Sequence, residues 1–154
     1  MADIIVSDTS CLIVLSKTGQ MELLQQLFSA VIVTPEVMRE YGEPLPPWIQ
    51  VQTALNIHLQ EFLETQLDIG EASSICLALE IPSRNVLIDE RKGRRIATEM
   101  GLNVLGTARV LILAKENGLI TSLSEALNHL SKSGFRISEQ LVKEILDKYE
   151  PNSI

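Results

Sequence analysis

Four short apolar runs, IIVS (4–7), AVIV (30–33), NVLI (85–88) and VLG (104–106), each lead into a stretch with helical periodicity, and few architectures accommodate that alternation. A strand needs neighbours for its backbone groups, and a helix needs a surface for its apolar stripe. Repeated strand–helix units therefore build an α/β layer fold around a mainly parallel sheet. The helical stretches carry their own boundaries. Thr9 or Ser10 opens a helix that ends near Gly19, and MELLQQLF shows apolar residues on one face at 23, 24, 27 and 28. Thr34-Pro35 places a capping hydroxyl before a first-turn proline at the start of PEVMREY. GEPLPP (42–47) is a loop, residues 56–64 form a helix, and Asp68 opens the helix of GEASSICLALEI. Residues 90–100 are helical with Ile96, Ala97 and Met100 inward, and Gly118 closes TARVLILAKENG. Ser122 and Glu125 make a capping box for the next helix, and Ser138 caps the last. There is no internal repeat. The expected organisation is one domain over 1–154, with about 119–150 as a C-terminal helical extension packed on it.

Hydrophobic residues make up 45% of the chain, enough for a core without disulfide staples. Cys11 and Cys76 lie in the apolar stretches CLIVL and ICLAL and read as reduced core residues, which suits a cytoplasmic address. MADIIVSDTS lacks the basic flank of a secretory signal, and no apolar run approaches the roughly 20 residues of a membrane span. A soluble protein is expected.

In parallel α/β sheets, sites form beyond the carboxyl ends of the strands. Two acids occupy such ends: Asp8 directly after IIVS and Asp89 directly after NVLI. If both strands share one sheet, the two carboxylates lie along one edge, where they repel and lose hydration. They must then protonate or acquire a cation, and a hard divalent ion needs only oxygen ligands. Each acid also has a plainer role: Asp8 as cap of the helix after it, Asp89 as cap of the helix over 90–100. Glu71 stands three residues after Asp68, which is capping-box spacing, and Glu40 is a helix-flank acid of the kind that faces water.

Other chemistries are set aside. His58 and His129 are isolated, with no HExxH or CxxC spacing for zinc, and there is no GxGxxG, GxxxxGK[ST] or GxSxG. Two Tyr, three Phe and Trp48 make no stacking platform for bases, and Trp48, after a double proline, pins its loop to the body. A phosphoacceptor domain would close a late strand with lysine; here VLG is followed by Thr107, with no lysine until Lys115. The net charge of −7 disfavours phosphate binding overall. Yet five of the 13 basic residues, Arg84, Arg91, Lys92, Arg94 and Arg95, fall close together, against only two acids, Asp89 and Glu90. They form either a local positive patch or a solvated helix face.

The stretches SDTSCLIVLSKTGQMELL, VTPEVMREY, LDIGEASSICLALE, VLIDERKGRRIATEMGLNVLGT and SGFRISEQLVKEIL, in that order, span nearly the whole chain. Together they resemble the PIN-domain family, in particular its short prokaryotic, toxin-type ribonuclease relatives. The resemblance implies a three-layer α/β sandwich with a central parallel sheet, helices on both faces, and acids clustered at one edge. It places the family's acids on Asp8, Glu40, Glu71 and Asp89, with Ser10 as the nearby hydroxyl. Glu stands at 71 where the wider family often has Asp, and Glu90 offers a second carboxylate beside Asp89. A metal-dependent ribonuclease is the activity the resemblance implies. Asp8, Glu71 and Asp89 would hold Mg2+ or Mn2+, Glu40 would bind a second ion or orient water, and Arg91, Arg94 or Arg95 would hold phosphates. Single-stranded RNA is the implied substrate, and a small antitoxin and a second copy of the chain are implied partners. The alternative is a catalytically silent PIN fold that binds nucleic acid or protein.

Overall fold

The computed structural model describes residues 3–151. Five strands, β1 (Ile4–Ser7), β2 (Ala30–Val33), β3 (Ile49–Val51), β4 (Asn85–Leu87) and β5 (Asn103–Leu105), form one sheet in the order β3-β2-β1-β4-β5. Every pairing is parallel. The helices are α1 (Thr9–Lys17), α2 (Glu22–Leu27), α3 (Pro35–Tyr41), α4 (Ile57–Leu63), α5 (Ile69–Leu79), α6 (Arg91–Glu99), α7 (Thr107–Glu116), α8 (Leu123–Lys132) and α9 (Glu139–Tyr149). The expected α/β sandwich with its parallel sheet and extra C-terminal helices is the fold observed.

Strand side chains alternate between faces, and the core divides accordingly. Ile5, Val31, Val33 and Leu87 join one apolar layer with residues of α1, α2, α7, α8 and α9. Val6, Ile32, Val86 and Ile88 join the other, with α4, α5 and α6. Helix α5 is buried from Gly70 to Ala78, on all sides. Its small residues let it lie close under β1 and β4 while also touching α3, α4 and α6. The two serines inside it are satisfied locally: Ser73 and Ser74 Oγ donate to the Gly70 carbonyl at 3.0 and 2.7 Å. Trp48 packs, half-buried, against the first layer, so it does anchor its loop.

Strand β3 is the one strand that no apolar run foretells. Only Ile49 of its three residues is buried. An edge strand with one inward side chain produces no recognisable apolar run. The strand order fixes where a site can form. From β1 the chain steps outward to β2 and β3, then returns to place β4 on the other side of β1. The crevice between β1 and β4, at their carboxyl ends, is the topological switch point of the sheet. No helix among the described residues is long and apolar enough to cross a membrane.

Candidate metal centre

Asp8 sits in that crevice. Ser7 is in register with Leu87, and the Asp8 amide extends the ladder by donating to the Leu87 carbonyl at 3.1 Å. The chain then turns into α1, whose Cys11 amide donates to Asp8 Oδ1 at 3.2 Å. The capping role read from the sequence is therefore real, and Asp8 is only 1% exposed. Burial pushes its carboxyl up to about 7; the Cys11 hydrogen bond opposes this, and the charges of Asp89 and Asp68 add to it.

Of the two roles open to Asp89, the cap is not the one it takes. It does not cap α6, because Glu90 does, accepting from the Lys92 amide at 2.9 and 3.1 Å and from the Gly93 amide at 3.3 Å. Asp89 instead reaches the start of α7, where Oδ1 accepts from the Thr107 amide at 2.7 Å and Oδ2 from the Thr107 hydroxyl at 2.5 Å. The Cys11 thiol donates to Oδ2 as well, at 3.2 Å. Cys11 itself is fully buried. Burial, with Asp8 and Asp89 beside it, pushes its thiol well above the usual range, in keeping with its role as an S–H donor to Asp89.

Glu71 lies in the first turn of α5, with its amide donating to the N-cap Asp68 at 2.8 Å. The cap therefore coexists with a buried carboxylate, 5% exposed. Its Oε2 lies against α6, 3.1 Å from where a Cβ on Gly93 would stand. Burial pushes the carboxyl up to about 8, with further contributions from Asp68, Asp8 and Glu90. Glu40, in the last turn of α3, is exposed but not loose. Its Oε1 accepts from the Thr9 hydroxyl at 2.7 Å and lies where a side chain on Gly70 would have to go. Glu40 is thus tied to the neighbour of Asp8 and packed on the neighbour of Glu71.

Among the other expected residues, Ser10 is exposed, and Thr9 is the hydroxyl that binds an acid. Arg94 donates to the Ile88 carbonyl at 2.7 Å, whereas Arg91 and Arg95 are exposed, with Arg95 3.9 Å from Glu99. The basic cluster is divided by β4. Arg84 precedes that strand at the opposite sheet edge, while Arg91 and Lys92 follow it on the site's side. The sequence marks Thr9 and Asp68 only as helix openers, and it does not assign to the site Thr107, or Gly70 and Gly93, which make room for two of the acids. Thr107 carried one readable sign, a hydroxyl at the start of a helix that follows a short strand.

Among the described residues no ion pair involves Asp8, Glu71 or Asp89. Nor, among those residues, do three carboxylate, thiol or imidazole side chains converge as a ready-made ligand shell. The donor set is nevertheless chemically suited to a hard divalent cation: carboxylate oxygens, two of them on buried groups whose ionisation burial opposes, with the neighbouring sulfur held as a thiol. A family model described as a PIN domain matches residues 4–151 of the chain. No curated protein and no solved structure matches it.

Proposed function

The chain belongs to the PIN-domain family, whose members are generally nucleases that use divalent metals, and on that premise we propose that it is a metal-dependent endoribonuclease acting on single-stranded RNA. One observation above the others supports this reading. Asp8 and Glu71 are buried carboxyls at the switch point of the sheet, each disfavoured as an anion by its surroundings and neither paired with a cation among the described residues. A divalent ion resolves that electrostatic conflict where a proton would only neutralise it.

In this reading Asp8, Glu71 and Asp89 hold Mg2+ or Mn2+, and Glu40 orients water or shares a second ion. Held by those carboxylates, a divalent ion would supply a lowered pKa for a coordinated water and screening of the phosphodiester charge. Asp8 and Asp89 are fixed by backbone and helix-terminal hydrogen bonds, Glu71 by packing against Gly93, and Glu40 by the Thr9 hydroxyl. Arg91 and Arg95, exposed on α6, are the guanidinium groups that would hold neighbouring phosphates. Arg94 shapes the site by holding the Ile88 carbonyl next to Asp89. A toxin role, with a small antitoxin protein as partner, and a homodimeric state complete the proposal; the cytoplasm is its expected location.

The test is cleavage of single-stranded RNA with and without Mg2+ or Mn2+, in parallel for the wild type and Asp8→Asn. The asparagine retains the acceptor for the Cys11 amide, so the variant folds, and its metal-dependent activity falls at least about 100-fold. Equal cleavage by both proteins rules the proposal out. The lack, among the described residues, of a closed ligand shell favours the second reading, a PIN fold that binds without cutting. Metal or RNA binding by calorimetry in the absence of any hydrolysis supports that alternative.

A further inference from the structure

Asp89 is held differently from the other three acids. Asp8 takes one amide, Glu40 takes one hydroxyl, and Glu71 is positioned by packing against Gly93. Asp89 receives three donors: the Thr107 amide, the Thr107 hydroxyl and the Cys11 thiol. A carboxylate offers about four acceptor positions, so about one is left for anything else. Thr107 is fully buried and supplies both of the shortest contacts. Its surroundings are built around that grip. Gly106, just before it, leaves little room for a side chain, since a Cβ would come within 3.0 Å of Asp89 Oδ1 and 2.8 Å of Arg94 Nη1 and one of them would have to give. No side chain caps α7 from the Gly106 N-cap position, and the first-turn amide of Thr107 is satisfied by an acid 18 residues away. Helix α7 opens on Asp89.

We propose that Thr107 is the positioning residue of this site, orienting Asp89 through a two-point hydrogen bond so that its remaining acceptor position is presented to the cation; this rests on the metal-dependent reading of the site. Outer hydrogen bonds of this kind set the direction of a ligand's lone pair and remove its freedom to rotate. Thr107 would act through Asp89 and not on substrate or ion directly. The Cys11 thiol is the secondary support on Oδ2.

The test is titration of metal-free protein with Mn2+ by calorimetry, alongside kcat and KM for RNA cleavage and the metal-free melting temperature. Thr107→Val, which keeps the amide and the shape but loses the hydroxyl, weakens Mn2+ binding about 10–100-fold. It lowers kcat with little change in KM. Thr107→Ser recovers binding to within about threefold of wild type, as expected of a hydroxyl effect. Should Thr107→Val fail to fold, Thr107→Ala, which only removes atoms, carries the same expectation. In an Asp89→Asn background, Thr107→Val adds no further loss. Wild-type affinity in the Val or Ala variant overturns the positioning role and leaves the nuclease reading standing. Equal weakening in the Val and Ser variants, or a full additional loss in the Asp89→Asn background, also overturns it. Failure of the wild type to bind Mn2+ at all removes the parent reading and this one with it.

Discussion

Gly70 and Gly93 show how closely the acids are packed into place. In α5, a side chain at Gly70 would collide with Glu40 Oε1 and approach Thr9 Oγ1 to 3.0 Å. Glu40 is exposed and its carboxylate is the mobile end of a long side chain, so a methyl group there moves Glu40 without disturbing the core. Replacing glycine by alanine within a helix also gains up to about 1 kcal/mol of propensity. Gly70→Ala should therefore leave the melting temperature unchanged or slightly raised, yet break the Glu40–Thr9 hydrogen bond and lower RNA cleavage at least about tenfold. Gly93→Ala behaves differently. The added carbon would stand 3.1 Å from Glu71 Oε2 and 3.2 Å from Ile88 Cγ2, both buried groups. That variant should lose stability, by about 1–3 kcal/mol, together with activity. Thermal melts and cleavage assays on the pair separate the two cases. A Gly70→Ala protein with full activity would show that Glu40 has no part in the site.

Helix starts dominate the next scale. Helices α1, α5, α6 and α7 all begin at or beside the candidate centre, with Asp8, Asp68 and Glu90 as their caps and Asp89 on the first amide of α7. Their dipoles favour negative charge there, which helps the carboxylates to ionise against the cost of burial. Most of these helix starts are legible in the sequence, because a capping side chain is a local signal. So are four of the five strands, β1, β2, β4 and β5, as apolar runs. The cap of α6 is Glu90 and not Asp89, the acid the sequence offers for that role, because local spacing cannot choose between adjacent acids. The pairing of Asp89 with Thr107 spans 18 residues and depends on β4 and β5 lying side by side, which no local pattern encodes. Far from the centre, the same logic holds the C-terminal helices. Glu150 accepts from the Leu123 and Ser124 amides at 2.7 and 3.2 Å, capping α8, and pairs with Lys115 of α7 at 3.0 Å. Burial works to raise its carboxyl, but the Leu123 amide, Lys115 and the Ser124 amide outweigh it and bring it down to about 2. Glu150→Gln should loosen this three-helix junction, costing about 1–2 kcal/mol in urea unfolding while leaving RNA cleavage within about twofold of wild type.

For the whole molecule these charges set how stability varies with pH. Asp8 and Glu71 have carboxyls raised to about 7 and about 8 from ordinary values of 3.8 and 4.5. The folded protein therefore keeps protons that the unfolded chain has released. Their contribution to stability is full below the ordinary values and is lost as pH rises through about 7 and 8. Glu150 works in the opposite direction: lowered from 4.5 to about 2, it contributes above 4.5, and that contribution is lost as pH falls through about 2. The metal-free protein should thus be most stable near about pH 4–5 and lose stability steadily toward about pH 8.5. A divalent ion reverses the upper limb. It binds the ionised carboxylates and releases their protons, so its stabilisation grows with pH and reaches about 2.7 kcal/mol at a hundredfold excess over Kd. Melting temperatures across this range, with a chelator and then with saturating Mn2+, should diverge as pH increases, and Asp8→Asn should flatten the chelated curve. Two parallel curves would mean that the ion does not sit on these buried acids. A chelated protein that gains stability between about pH 5 and 8 would mean that Asp8 and Glu71 are already anions in the folded state, with no electrostatic conflict for a metal to resolve.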